Sequence, residues 1–176
     1  MKQPNIESFL KEYLGDKSIA AVHNGNFQRD EDGRMKIYYS GPYWDNQEVT
    51  AVIKSLLDGK WLSSGQNVYQ FENSFSQKFK CDNSLMVNSG SSANLIMVAA
   101  LKKYYGWKDG DEVIVSPVGF PTTIAPIIQN GLKPVFVDIE TETLNFCLDE
   151  VEKKINNKNK AVILSPVLGN PPDMDR

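Results

Sequence analysis

The chain has 176 residues, of which 41% are hydrophobic and 23% charged, and its formal net charge is −3. These values are typical of a globular protein with one ordinary core, and the acidic balance without a Lys/Arg cluster argues against a nucleic-acid partner. Because the longest apolar run, residues 95–101, is far too short for a membrane span and no signal-peptide pattern opens the sequence, we expect a cytoplasmic protein with no membrane partner.

The cysteines and the single histidine disfavour metal, disulfide and hydrolytic chemistry. Cys81 and Cys147 stand far apart without CxxC spacing, so we expect neither a metal site nor a disulfide. His23 lies in a polar stretch, which disfavours a Ser-His-Asp or Cys-His catalytic device. The sequence therefore predicts no metal ligands.

The first 36 residues have the pattern of a peripheral arm. Apolar residues at helical spacing predict a short helix over residues 5–14, which ends at Gly15. The polar, turn-rich segment that follows carries little to bury. We expect residues 1–36 to form an N-terminal arm and residues 37–176 to form the main domain.

Two amphipathic helices are predicted next, over residues 47–58 and 67–80. The second carries an apolar stripe, and we expect the stripe to be core. Its members are Val68, Phe71, Phe75 and Phe79.

From residue 84 onward, short apolar strands alternate with helices. The predicted strands are residues 85–87, 111–116, 134–138 and 161–164, and the predicted helices are residues 92–105, 122–130 and 148–155. This alternation indicates an α/β fold with a mainly parallel sheet sandwiched by helices. The last strand has no helix after it, so we expect an incomplete domain.

The turn between the first predicted strand and its helix reads Asn-Ser-Gly-Ser-Ser-Ala-Asn over residues 88–94. Such a turn presents backbone N–H groups at a helix N-terminus, where a phosphate or carboxylate is favoured. A plain connection capped by Ser89 or Ser91 is the alternative. Ligands of parallel sheets bind beyond the carboxyl ends of the strands, where residues 116–123 and 165–170 would also gather.

Phe120 follows the second predicted strand, within the segment Gly-Phe-Pro-Thr-Thr. An aromatic ring at this position could stack on a flat heteroaromatic ligand whose phosphate binds at the turn over residues 88–94. A packed loop aromatic is the alternative. No GxGxxG or GxxxxGK[ST] pattern occurs, which disfavours a generic nucleotide-binding domain.

Together these segments resemble the N-terminal part of a DegT-type nucleotide-sugar aminotransferase/dehydrase, a family of pyridoxal-phosphate enzymes with the fold type I large domain. The resemblance covers roughly residues 38–176. The matching segments are GKWLSSG (59–65), FE (71–72), NSGSSANL (88–95), GFPTT (119–123), QNGLKPVFVD (129–138) and LGNP (168–171).

The resemblance implies roles for particular residues. Gly90 and Ser91 fall where the family binds the phosphate of pyridoxal 5′-phosphate or pyridoxamine 5′-phosphate, and Phe120 falls on the aromatic that stacks over the pyridine ring. Trp61 and the segment from Ser63 to Gly65 fall near the nucleotide-sugar substrate or the dimer partner. Family members work as homodimers, so the resemblance also implies a homodimer.

Within the family, LGNP and GFPTT look more like the 3-dehydrase branch, which removes the C3 hydroxyl of a 4-keto-6-deoxy nucleotide sugar on the route to deoxysugars of lipopolysaccharide. A sugar aminotransferase is the alternative. The reacting lysine or histidine of the family and the carboxylate that pairs with the pyridine nitrogen fall beyond Arg176. We therefore assign no catalytic residue and expect this chain alone to be inactive, or to serve as a non-catalytic binding or dimerisation module.

Overall fold

The computed structural model describes residues 5–14, 31–34, 46–59 and 63–176. They belong to two compact units, one ending at Met86 and the other comprising Val87–Arg176. The predicted boundary between the arm and the main domain, at residues 36 and 37, lies outside the described residues. That division therefore stays a prediction.

The first unit contains three helices, which are α1 (Ile6–Leu14), α2 (Asn46–Asp58) and α3 (Gln66–Phe79). Their bounds lie within one residue of those that the apolar spacing predicts. Helices α1 and α2 pack together, and the ammonium of Lys54 on α2 lies 2.7 Å from a carboxylate oxygen of Glu7 on α1. Both side chains are largely exposed, so this ion pair adds little stability.

The three phenylalanines of the apolar stripe on α3 are exposed and Val68 is only partly buried, so the prediction that this stripe is core is wrong. The side chains of Phe71, Phe75 and Phe79 are 52%, 43% and 63% exposed. No described element of the first unit buries this face, and neighbouring rings along it contact each other. Their centroids are 5.9 Å apart in the first pair and 4.4 Å apart in the second.

The second unit is an α/β layer with three parallel strands in the order β2-β1-β3. Each pair of successive strands is connected through a helix, as parallel pairing requires. No helix in the described ranges has both the length and the apolar composition needed to cross a membrane. The elements are α4 (Gly90–Tyr105), β1 (Glu112–Val115), α5 (Pro121–Gln129), β2 (Lys133–Phe136), α6 (Leu148–Lys154), β3 (Asn159–Ile163) and a short 3-10 helix (Val167–Gly169).

Strand β1 is the centre of this unit, and all four of its residues are buried. Val113 and Val115 pack with Val98 of α4 and Ile127 of α5, whereas Ile114 belongs to a separate cluster on the other face. The members of that second cluster are Phe146, Val137 and the neighbouring side chains of Val135, Leu148 and Val151. Helices therefore cover both faces of the sheet, which confirms the predicted fold class.

Residues 85–87 do not form a strand, in contrast to the prediction from their apolar run. A strand needs a neighbour for its backbone groups, and residues 85–87 pair with neither of the two edge strands of the described sheet, β2 and β3. Instead, the N–H of Met86 donates to a carboxylate oxygen of Glu72 at 2.8 Å. The apolar run over residues 85–87 does not by itself indicate whether a partner strand is present.

Candidate functional site

The start of α4 is a capped helix N-terminus. Ser89 adopts an extended conformation, with φ −164° and ψ 160°, and its hydroxyl oxygen accepts from the N–H of Ser92 at 3.2 Å. The N–H of Ala93 donates to the carbonyl of Ser89 at 3.0 Å, and the hydroxyl of Ser92 donates to Oδ1 of Asn88 at 2.7 Å. The serine-capped turn that was the alternative prediction is therefore present. Ser89 forms the cap, and neither Gly90 nor Ser91 takes part in it.

Gly90 and Ser91 supply the first two N–H groups of this 16-residue helix, and both residues are exposed. Within the described part of the chain, neither these N–H groups nor the Ser91 hydroxyl has a hydrogen-bond partner. A Cβ built on Gly90 would meet no atom within 4 Å, so the space beside the backbone is open. Two free donors, a hydroxyl and open space at the positive end of a helix fit a bound phosphate.

Phe120 lies at the start of α5, five residues after the end of β1. It is the N-cap residue by position, Pro121 begins the helix, and the N–H of Thr123 donates to the Phe120 carbonyl at 2.9 Å. Phe120 is 69% exposed. It is therefore not a packed loop aromatic, which was the alternative, and most of its surface is accessible.

Asn94 joins the two helix starts, a role that our reading of the sequence missed. Its side-chain amide on α4 donates to the carbonyl of Thr122 on α5 at 3.2 Å. The available signal was a polar residue of modest helix propensity directly before the apolar run of α4. This hydrogen bond brings the Gly90–Ser91 end of α4 beside the Phe120 end of α5.

The loop after β3 is held by an asparagine pair. The side-chain amide of Asn145 donates to the carbonyl of Asn170 at 3.2 Å, and that of Asn170 donates to the carbonyl of Thr143 at 2.7 Å. Leu168 in this loop has a left-handed backbone, with φ 53°, and is 83% exposed. Among the described residues, no hydrogen bond connects this loop to Gly90, Ser91 or Phe120.

The predicted substrate residues lie in the first unit, where Ser63 and Gly65 line a cavity of about 410 Å³ between α2 and α3. Gly65 is the N-cap of α3 and offers no side-chain cap. The third predicted residue, Trp61, lies outside the described residues. The other polar residues that line the cavity are Lys54, Ser55, Asp58, Gln66 and Asn67.

Solved structures of pyridoxal-phosphate-dependent enzymes of fold type I share this arrangement of sheet and helices, so the fold is that of part of the large domain of this class. The chain belongs to the DegT/DnrJ/EryC1/StrS aminotransferase family, whose model matches residues 43–176. This match confirms the resemblance that the sequence motifs indicated.

Relatives in this family include enzymes of both branches. The chain is 44% identical to GDP-4-keto-6-deoxy-D-mannose 3-dehydratase of Yersinia pseudotuberculosis over 134 aligned residues. The alignment covers 75% of this chain and 34% of the relative. The E. coli GDP-4-keto-6-deoxy-D-mannose-3-dehydratase structure with bound hydrated PLP matches with TM-score 0.68 and 40% identity, over 76% of this chain and 35% of that one.

A putative sugar aminotransferase, Spr1654 from Streptococcus pneumoniae in its PLP form, matches with TM-score 0.70 and 27% identity, over 79% of this chain and 34% of that one. The chain spans about a third of the length of the curated relatives that it matches.

Proposed function

We propose that this chain forms the part of a nucleotide-sugar enzyme that binds pyridoxal 5′-phosphate or pyridoxamine 5′-phosphate. The N–H groups of Gly90 and Ser91 and the Ser91 hydroxyl hold the phosphate, and Phe120 stacks on the pyridine ring. The observation that carries this proposal is the pair of free N–H groups at the start of α4, whose first turns are hydrogen-bonded through Asn94 to the start of α5, where Phe120 is exposed. The cofactor-bound structures of relatives support it.

The residues at this site bind and orient, and they carry out no proton transfer. When bound, the cofactor's protonated pyridine ring would serve as an electron sink for bonds broken at the sugar. The start of α4 fixes one end of the ligand through charge and hydrogen bonds. The ring of Phe120 excludes water from one face of the pyridine and fixes its tilt.

We propose 3-dehydration of a 4-keto-6-deoxy nucleotide sugar as the reaction of the whole protein, on the route to deoxysugars of lipopolysaccharide. Its support is the higher identity to the Yersinia and E. coli dehydratases, 44% and 40%, than to the pneumococcal aminotransferase, 27%. Amino-group transfer to the sugar is the second candidate, and the comparable TM-score of the aminotransferase supports it. Mass spectrometry of the sugar product separates loss of the C3 hydroxyl from gain of an amino group.

We further propose that Ser63 and Gly65, together with Trp61, contact the nucleotide sugar, and that the protein acts in the cytoplasm as a homodimer. The cavity between α2 and α3 supports a ligand role for this segment, because it is lined by amide, hydroxyl and charged groups. Sugars and phosphates are recognised by such groups.

Calorimetric titration of the purified chain with pyridoxal 5′-phosphate and, separately, with a nicotinamide dinucleotide tests the proposed cofactor. We expect saturable binding of pyridoxal 5′-phosphate at one site per chain and no binding of the dinucleotide. The opposite preference would refute the proposal and would favour a generic nucleotide-binding domain.

A further inference from the structure

Pro126 leaves a backbone carbonyl near the candidate site without a donor in its own helix. Pro126 lies inside α5 and is buried. In an α-helix the carbonyl of one residue accepts from the N–H four positions later, and proline has no N–H. Thr122 stands four residues before Pro126, so its carbonyl needs a donor from elsewhere.

The side-chain amide of Asn94 is that donor, at 3.2 Å in a partly buried position. A buried carbonyl without a partner costs free energy, so the hydrogen bond holds α5 against α4 at this point. Because Pro126 has no N–H, the Thr122 carbonyl accepts a hydrogen bond from Asn94 on α4 in place of one from within α5.

The residues on both sides of this hydrogen bond belong to the proposed site. Asn94 lies one helical turn after Gly90 and Ser91, and Thr122 lies two residues after Phe120. We infer that Asn94 is a positioning residue, which sets the place of the Phe120 ring relative to the phosphate-binding start of α4. This inference rests on the function proposed above and extends it to a residue that would not touch the cofactor.

Other contacts keep the two helices packed when this bond is lost. The ammonium of Lys102 on α4 donates to the carbonyl of Asn130, at the end of α5, at 2.6 Å. Val98 of α4 and Ile127 of α5 share the same buried cluster. Removal of the Asn94 amide should therefore change the placement of Phe120 without unfolding the unit.

A double-mutant cycle between Asn94→Leu and Phe120→Leu tests this coupling, with pyridoxal 5′-phosphate affinity as the readout. Leucine keeps the approximate size and shape of asparagine and removes the donor. A hydrogen bond of ordinary strength corresponds to about a threefold to tenfold loss of affinity in the otherwise unchanged protein. In the Phe120→Leu background we expect Asn94→Leu to cause less than about a twofold further loss, because the ring that it positions is gone.

A second cycle tests the role of the proline. In Pro126→Ala the N–H of residue 126 can reach the Thr122 carbonyl, so we expect Asn94→Leu to weaken binding by less than about twofold in that background. If Asn94→Leu alone does not fold, both cycles are measured with Asn94→Ala, which also removes the donor.

The possible failures are distinct. Failure of the unmodified protein to bind pyridoxal 5′-phosphate would refute the proposed function. Binding by that protein with additive losses in the Phe120 cycle, or with an undiminished Asn94→Leu effect in the Pro126→Ala background, would refute the positioning role alone.

Discussion

At the scale of single residues, Gly90 is explained by the space beside it. Its φ lies outside the left-handed region, so the backbone there does not demand glycine. The open volume next to its Cα is where a side chain would meet a ligand bound at the first N–H groups of α4. In the proposed phosphate site, the small size of Gly90 would serve close approach to the ligand.

Ser91→Ala should weaken pyridoxal 5′-phosphate binding and leave folding unchanged. The Ser91 hydroxyl is exposed and has no partner among the described residues, so its loss should remove only the proposed bond to the phosphate. A hydrogen bond to a charged group corresponds to an affinity loss of about tenfold or more. Fluorescence titration measures this change, with Ser8→Ala on α1, another exposed helical serine, as the matched control; equal affinities of the two variants would contradict the assignment.

Glu112 is a second residue whose surroundings make a measurable prediction. A hydrogen bond from the side chain of Asn156 lowers the pKa of this carboxyl below its ordinary value, burial opposes the shift, and Lys133 contributes further lowering. A lowered folded-state pKa stabilises the fold at neutral pH, and this contribution is lost as pH falls through that pKa.

Glu112→Gln should therefore be less stable than the unmodified protein at neutral pH, and the difference should shrink as pH falls below the ordinary carboxyl range. Chemical denaturation at a series of pH values measures it. Glu142→Gln, which changes an exposed carboxyl, serves as the control. A stability difference that does not depend on pH would contradict this account of Glu112.

Contacts of single residues could be predicted from the sequence where both partners lie within a few positions of each other. The Ser89 cap and the free N–H groups that follow it arise within a few neighbouring residues. The Asn94–Thr122 bond joins residues 28 positions apart and depends on Pro126, so no local pattern reveals it.

At the scale of secondary-structure elements, helical periodicity predicted where α2 and α3 lie but not what covers them. An apolar stripe predicts a face that avoids water, and the identity of its cover depends on the rest of the protein. The exposed rings of α3 and the absence of a strand over residues 85–87 both contradict predictions made from a local apolar pattern, because that pattern does not show which tertiary partner is present.

Matched substitutions on α5 and α3 should separate covered from uncovered faces. Ile127 is completely buried, so Ile127→Ala should cost about 2–5 kcal/mol. Phe79 is 63% exposed, and Phe79→Ala should cost much less although it removes a larger side chain. Urea denaturation gives both values, and a larger cost for Phe79→Ala would show that the α3 face is covered in solution.

At the scale of the whole molecule, alternation of strands and helices predicted the parallel sheet and its two helical layers. The order β2-β1-β3 did not follow from that alternation, because it depends on the side to which each crossover places its strand. Apolar side chains remain exposed beside β3, where Val162 and Leu164 border an apolar cavity of about 250 Å³.

These exposed apolar surfaces predict that the isolated 176-residue chain associates in solution. An open strand edge and uncovered apolar faces both favour contacts between chains. Sedimentation velocity over a tenfold range of concentration should show the average mass rising with concentration. A monomer at all concentrations, with a sharp and cooperative melt, would contradict this prediction.

The central claim is that the start of α4 binds the cofactor phosphate, and calorimetric titration of the unmodified protein and Gly90→Val with pyridoxal 5′-phosphate tests it most directly. The valine side chain would enter the open space beside the first N–H groups, where the built Cβ meets no protein atom, so the fold should persist. We predict one binding site in the unmodified protein and an affinity loss of more than about thirtyfold in the variant, equivalent to about 2 kcal/mol. Equal affinities in two folded proteins would place the phosphate elsewhere and contradict the claim.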